Sequence, residues 1–184
     1  MAFKEITRRH TVVGLANKEA AEDLLGTVFT QDPIEIIGKG QGPAKTTTAV
    51  YGITAVEEFG INDELLIHWQ IPELIDRTQK PTIHLEFAPT TAEAGKLLSL
   101  QINVAPNAVG SDISDTGTPF MVTDIAVPDT AFISFEVTLE LPTILIEKDY
   151  DDLHIRIRRV TSSNDSAGDI ALHHTSMEYQ KHQR

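Results

Sequence analysis

The sequence predicts an all-β protein, an antiparallel jelly-roll β-sandwich of about eight strands with an N-terminal arm that contains one short helix. Apolar and polar residues alternate over several strand-length segments, a period typical of half-buried strands. Prolines and glycines separate these segments, and no helix-length period lies between them. Together these observations favour antiparallel pairing over strand–helix–strand units.

The first 45 residues differ from the rest in charge and end in a linker-like junction. They carry equal numbers of basic and acidic side chains, so the whole formal net charge of −12 falls on residues 46–184. The junction at 38–44 holds three glycines and a proline, a composition typical of a connection. We therefore predict an arm over 1–45 and a jelly-roll domain over 46–184. The arm either latches onto the domain or docks on a neighbouring subunit.

The arm contains one helix signal. Asn17 can cap a short helix over 18–25, which Gly26 would end. Strand-like segments lie on either side of it, at 11–13 and 34–37. Such short elements bury little apolar surface by themselves, so the arm needs a partner surface to become ordered.

The domain contains eight strand candidates. Alternation is strict in four segments, 83–87, 98–104, 133–141 and 153–157. It is weaker in four others, 47–59, 65–71, 120–127 and 169–180. In the third strict segment, Phe135 is expected to point into the sandwich between Ile133 and Val137. In the last weak segment the apolar positions change parity before Met177, which predicts a β-bulge near His173 and His174.

No motif predicts an enzyme, and we assign no catalytic, cofactor-binding or metal-binding residue. The absence of cysteine excludes disulfides and thiolate metal sites. The seven histidines form neither an HxxxH nor an HxH pair, and no phosphate-binding or nucleophile-elbow motif occurs. Acidic loops at 110–117 and 148–152 offer oxygen ligands for Ca²⁺ without the EF-hand spacing, and polar turn residues explain them equally well.

Charge and hydropathy also limit the partners. A net charge of −12 disfavours nucleic acid, whose phosphates need a basic surface. No apolar segment reaches the length of a membrane-spanning helix, which requires about 20 residues. The first ten residues lack the apolar region of a signal peptide. We therefore expect neither a nucleic-acid nor a membrane partner.

The C-terminal half has an order of features that resembles a known family. A strand ending in proline is followed by an acidic turn, a strand with alternating arginines, a polar loop and a closing strand, at 139–142, 148–152, 153–160, 161–165 and 168–179. This order is similar to the ending of tailed-bacteriophage virion proteins with a jelly-roll domain, of the capsid cement (decoration) or head-fibre type. The resemblance covers about residues 47–180 and departs from the pattern at Ser166, where an aromatic residue is common. Arg156 and Arg158 are expected to pair with acids such as Asp165, Asp169 or Glu178 and so to fix the strand register.

The resemblance implies a non-enzymatic structural protein of the virion. We expect a homotrimeric capsid cement protein, made in the host cytoplasm and bound on the capsid surface. Its partners would be the major capsid protein and copies of itself, with the arm adding strands to a neighbour. The alternative is a receptor- or carbohydrate-binding jelly-roll module of a phage tail or fibre, since jelly rolls also serve as lectins.

Overall fold

The computed structural model describes residues 27–39, 46–92, 94–108, 117–165 and 168–182. These residues form eleven strands and one short 3₁₀ turn, Thr143–Ile146. The strands are β1 (Thr27–Pro33), β2 (Glu35–Lys39), β3 (Thr47–Tyr51), β4 (Thr54–Phe59), β5 (Glu64–Gln70), β6 (Thr82–Pro89), β7 (Leu97–Asn107), β8 (Thr118–Ala126), β9 (Phe135–Glu140), β10 (Asp152–Val160) and β11 (Ile170–His182). Among the described residues, no helix is long and apolar enough to cross a membrane.

The strands are arranged in two sheets. The six-stranded sheet has the order β3-β4-β11-β6-β9, with β1 also paired to β11. The five-stranded sheet has the order β2-β5-β10-β7-β8. Each pair of neighbouring strands is antiparallel. The predicted all-β antiparallel sandwich is confirmed.

The core lies between the inward faces of the two sheets. Alternate residues of β6 and β10 are buried over 83–87 and 153–157, as the period-two pattern predicts. The fully buried apolar side chains include Phe59, Leu65, Ile67, Ile83, Leu85, Phe87, Leu98, Leu100, Ile102 and Leu141. Burial of each such side chain stabilises the fold by about 1.5–3 kcal/mol relative to leaving it in water. This apolar layer leaves the polar residues of the same strands on the two outer faces.

Residues 27–39 of the predicted arm belong to both sheets. β1 pairs with β11, and β2 pairs with β5. The chain crosses between the sheets at buried Ile34. The Ile34 N–H donates to the Thr175 carbonyl at 3.2 Å, and the Thr175 hydroxyl donates to the Ile34 carbonyl at 3.1 Å. Within this chain, residues 27–39 therefore form a latch on the domain, the first of the two alternatives. The helix expected over 18–25 and the segment 11–13 lie outside the described residues.

Two weaker parts of the sequence pattern fold differently from the prediction. The segment 47–59 is a hairpin of β3 and β4 rather than one strand. Gly52 follows β3 with a φ of 64°, the left-handed conformation that two-residue hairpin turns require. Ile133 precedes β9 and is 52% exposed, so the expected inward position of this residue is wrong. Phe135 is half-buried and packs against the core.

The predicted bulge in the last strand is confirmed. The register between β11 and β6 shifts between Leu172 and His174. Because the inserted residue changes the parity, Leu172 and Met177 both face the core although their spacing is odd. The bulge thereby sets the position of His173 on the strand.

Arg158 and Arg159 of β10 have partners that the sequence did not predict. Arg158 Nε lies 3.7 Å from Glu64 Oε1, on the neighbouring strand β5. Asp165 lies near Arg159, with Oδ1 3.7 Å from Nη2. Arg159 occupies the inward parity of β10 and is 1% exposed. The expected pairing of Asp165 with Arg156 or Arg158 is therefore wrong.

Candidate functional site

A groove of about 270 Å³ opens on the outer face of the six-stranded sheet. We call it the aromatic groove. Its lining combines two aromatic side chains with small and hydroxyl-bearing ones. These residues are Tyr51, Thr54, Val56, Ala88, Phe132, Ser134, Ala171 and His173. They come from the β3–β4 hairpin, the turn before β9, and the adjacent strands β6 and β11.

Two alanines form part of the groove lining at the centre of the sheet. Ala88 on β6 and Ala171 on β11 are directly opposite each other in the register. Both are buried, at 7% and 2% exposed. Because a methyl group projects little from a sheet, this pair leaves a depression between the longer side chains around it.

The two aromatic rings of the groove contact each other. Tyr51 and Phe132 have ring centroids 4.8 Å apart with planes tilted by 52°. Phe132 is nevertheless 53% exposed and Tyr51 is 37% exposed. Water-exposed aromatic faces held in contact are typical of binding surfaces, since a ligand can cover them without displacing core side chains.

The backbone of Phe132 is strained. Its φ is 62°, in the left-handed region that bulky residues rarely adopt. The Phe132 N–H donates to the Pro89 carbonyl at 2.8 Å, which ties the turn to the end of β6. Strain of this kind persists where the surrounding structure fixes it, and it is concentrated at functional sites.

The hydroxyl of Tyr51 is fixed by Glu58, to whose carboxylate it donates a hydrogen bond. This hydrogen bond raises the pKa of Tyr51, and burial and the charge of Glu58 act in the same direction. The raised pKa favours the protonated hydroxyl, which is the form that donates to Glu58. Its ring orientation is set by the same contact, which pre-organises the aromatic pair for a ligand.

The opposite side of the groove is polar. Ser134 Oγ lies 2.7 Å from His173 Nε2, and His173 Nδ1 lies 3.9 Å from Glu86 Oε2. His173 occupies the inserted position of the β11 bulge. A hydroxyl and an imidazole can donate or accept hydrogen bonds with a ligand hydroxyl, and a carboxylate can accept them.

A row of ionisable side chains continues from the groove along β6 and its two neighbours. We call it the polar track, and it consists of His84, Glu86, Glu136 and Glu178. His84 Nδ1 lies 2.6 Å from Glu136 Oε1, and His84 Nε2 lies 3.8 Å from Glu178 Oε2. His84, Glu86 and Ala88 alternate on β6, so the track and the groove share one face. The surface as a whole has an aromatic end and an acidic, hydrogen-bonding extension.

A larger cleft of about 440 Å³ lies elsewhere, beside the end of β5. It is lined by Asp32, His68, Trp69, Gln70, Ile71, Pro72 and Glu73. Its one large aromatic side chain, Trp69, is only 3% exposed. The ring packs against Tyr179 in the core, with centroids 5.5 Å apart and the ring planes tilted by 57°. This cleft therefore offers no aromatic surface to a ligand, and we place the candidate site in the aromatic groove.

The sequence assigned no binding residue, and the aromatic groove was missed. Its parts come from four separate segments that only the strand order brings together. The local signals were an aromatic residue at a hairpin, Tyr51-Gly52, and another in a polar turn, Phe132. Of the acidic loops, 110–116 lies outside the described residues, whereas 148–152 ends at Asp152, the first residue of β10.

Comparisons with known proteins give structural matches only. No protein-family model matches the chain, and no curated protein matches it. The xylan-binding module CBM15 superposes with a TM-score of 0.51 at 10% identity, covering 82% of this chain and 96% of that one. The CBM36-1 domain of a multidomain xylanase from the hindgut metagenome of Trinervitermes trinervoides gives 0.45 at 10% identity, with 81% and 95% covered. At 10% identity the match to CBM15 shows the fold alone, a jelly-roll β-sandwich.

Proposed function

We propose that the chain is a non-catalytic carbohydrate-binding module that holds a neutral glycan in the aromatic groove and along the polar track. The observation that carries the proposal is the exposed Tyr51–Phe132 pair beside the depression at Ala88 and Ala171. The faces of aromatic rings are electron-rich, and the C–H groups of a sugar ring are apolar and weakly positive, so the two surfaces are complementary.

The volume and polarity of the surface suit a chain of sugars. A groove of about 270 Å³ is slightly smaller than the usual small-ligand site, whose volume range begins at about 300 Å³. It would accommodate a single sugar ring, and the polar track beside it would bind the hydroxyls of the next residues of the chain. Carboxylates such as Glu86 and Glu136 accept hydrogen bonds from hydroxyls but repel anionic groups. We therefore infer a neutral polysaccharide rather than an acidic one.

The jelly-roll fold is compatible with this proposal, but it does not identify the ligand. The named neighbour with the higher TM-score is a xylan-binding module, and that description applies to the neighbour. Jelly rolls serve many functions, so the argument for a glycan rests on the aromatic groove itself. If the resemblance to phage virion proteins is also considered, glycan binding favours a receptor-binding module of a tail or fibre over a cement protein.

The cement function remains a second candidate because aliphatic side chains flank both aromatic residues. Ile53 is fully exposed, Val50 is 67% exposed, and Ile133 is 52% exposed. Aliphatic side chains add little to sugar stacking, but they bury well against another protein. A capsid protein could therefore cover the same end of the six-stranded sheet. Trimer formation and location on the capsid stay predictions.

An array of neutral and acidic glycans tests the proposal on the full chain, followed by titration calorimetry with the best ligand. We expect binding to neutral oligosaccharides, lost in Tyr51→Ala and retained in Met121→Ala. Met121 is a matched control because it is 56% exposed on β8, in the other sheet. Failure to bind any glycan, or unchanged binding by Tyr51→Ala, would contradict the proposal. Binding to empty capsids without glycan binding would instead support the cement function.

A further inference from the structure

Three potential metal ligands meet on the outer face of the five-stranded sheet. His68 on β5 and His154 on β10 are direct cross-strand partners. Asp152 lies two residues before His154, so its side chain is on the same face of β10. We call these three residues the His–Asp cluster. Their side chains are partly buried, at 27%, 41% and 22% exposed for His68, His154 and Asp152.

The distances between the potential ligand atoms of the cluster are close to those around one shared metal ion. His68 Nε2 lies 3.3 Å from Asp152 Oδ2, and His154 Nε2 lies 3.5 Å from Asp152 Oδ1. One ligand atom from each residue lies within 4.8 Å of the other two. A tetrahedral ion with ligands at about 2.0–2.2 Å holds those ligand atoms roughly 3.4 Å apart. Only small side-chain rotations would therefore bring all three onto one ion.

One oxygen of the cluster's carboxylate makes no hydrogen bond, although both imidazoles lie nearby. Asp152 Oδ1 is buried and has no hydrogen-bond partner among the described residues. Removing a carboxylate oxygen from water without compensation is unfavourable. Neutral imidazoles supply at most one proton each, whereas a bound cation would satisfy the oxygen directly.

We propose that His68, Asp152 and His154 form a binding site for a divalent transition-metal ion of the Zn²⁺ type. Two imidazole nitrogens and one carboxylate oxygen are a donor set that Zn²⁺ accepts, with a fourth position left for water. Ca²⁺ and Mg²⁺ require more oxygen ligands than the cluster offers. His68 also lines the cleft of about 440 Å³ beside β5, so the ion can be reached from solvent.

The site would act as a cross-link between strands. The ion would join β5 to β10, which are adjacent strands in the order β2-β5-β10-β7-β8. Because only the folded chain brings His68 beside His154, binding must stabilise the folded state. The proposal is independent of glycan binding, since the aromatic groove lies on the other sheet.

Metal titration of the full chain, after treatment with a chelator and dialysis, tests the site. We expect one Zn²⁺ per chain by calorimetry, a raised melting temperature, and a visible d–d absorption of tetrahedral intensity when Co²⁺ is the probe. His154→Gln and Asp152→Asn should each weaken Zn²⁺ binding by more than about tenfold, the lower limit for loss of an outer-sphere partner. His174→Gln, which changes an imidazole on the other sheet, should leave the affinity unchanged.

Two results would overturn the proposal. The first is the absence of saturable Zn²⁺ binding at micromolar concentrations by a folded chain. The second is equal Zn²⁺ affinity in the wild type, His154→Gln and Asp152→Asn, which would place the ion elsewhere. Circular dichroism of each variant establishes that it is folded, so that loss of binding cannot arise from loss of structure.

Discussion

Lys39 reaches across the sandwich to Glu57, with Nζ 2.7 Å from Oε2. Lys39 belongs to β2 of the five-stranded sheet and Glu57 to β4 of the six-stranded sheet. The hydroxyls of Thr46 and Thr48 also donate to the Glu57 carboxylate, at 2.9 and 2.8 Å. The buried carboxylate thus links the predicted arm to the β3–β4 hairpin, which carries Tyr51 of the aromatic groove.

Glu57→Gln is expected to destabilise the fold by about 1.5–3 kcal/mol at neutral pH, the usual contribution of hydrogen bonds to a charged group. Burial alone would raise the pKa of Glu57, but the hydrogen bonds from Lys39, Thr48 and Thr46 outweigh it and lower the pKa. A lowered folded-state pKa stabilises the protein above the unfolded value of about 4.5. That stability is lost as the pH falls through the lower folded-state pKa.

Urea unfolding at several pH values measures this effect. The difference between wild type and Glu57→Gln should shrink as the pH falls below about 4.5. Glu140→Gln is the matched control, because the Lys80–Glu140 pair has a similar separation of 2.6 Å but is more than half exposed. Its loss should stay within about 1 kcal/mol. Equal losses for the two variants would show that Glu57 is not a stabilising link.

Deletion of residues 1–39 is expected to destabilise the domain strongly. Deletion of 1–26 leaves β1 and β2, the two strands of the latch, in place and should destabilise the domain less. The longer deletion removes β1 and β2 and uncovers the edges of β11 and β5. It also removes Asp32, whose carboxylate accepts a hydrogen bond from buried Tyr179 at 2.5 Å. Thermal unfolding of the two deletions compares them directly. An unchanged melting temperature after the longer deletion would show that the domain closes without its latch.

The sequence predicted the sandwich because a strand that is buried on one face alternates apolar and polar residues. The pattern is clear in β10, where the alternate residues Leu153, Ile155 and Ile157 are all buried. The parity change before Met177 likewise revealed the bulge at His173. Periodicity fails where a segment is not a half-buried strand: β8 has no buried residue, and Ile133 lies in the connection before β9.

The candidate sites could not be predicted in the same way, because they depend on contacts between distant segments. His68 and His154 become neighbours only through the pairing of β5 with β10. Tyr51 and Phe132 likewise meet only after the sheet has formed. The period-two pattern places His154 on the polar face of its strand, but strand order and register decide which residues it meets there.

Arg159→Met is expected to cost about 3–5 kcal/mol, the usual loss when one partner of a buried charge pair is removed. The guanidinium donates to the carbonyls of Phe59 and Gly168, at 2.8 and 2.9 Å, and lies beside Asp165. It therefore joins β10 to the ends of two strands in the other sheet. Arg158→Met is the control, since the Arg158 side chain is 38% exposed and its loss should cost less than about 1 kcal/mol. Urea unfolding followed by Trp69 fluorescence measures both, and a small loss for Arg159→Met would contradict the assigned role.

Phe132→Asn is expected to separate glycan binding from stability. Asparagine tolerates the left-handed backbone at this position, where φ is 62°. The relief of about 1–2 kcal/mol of backbone strain should offset the loss of a ring contact with Tyr51 of about 0.5–1.5 kcal/mol. The free energy of unfolding should therefore change by less than about 1 kcal/mol, while glycan affinity falls by about tenfold, equivalent to about 1.4 kcal/mol. Phe132→Tyr keeps the ring and should keep the affinity, so equal affinities for the asparagine and tyrosine variants would show that the ring does not contact the sugar.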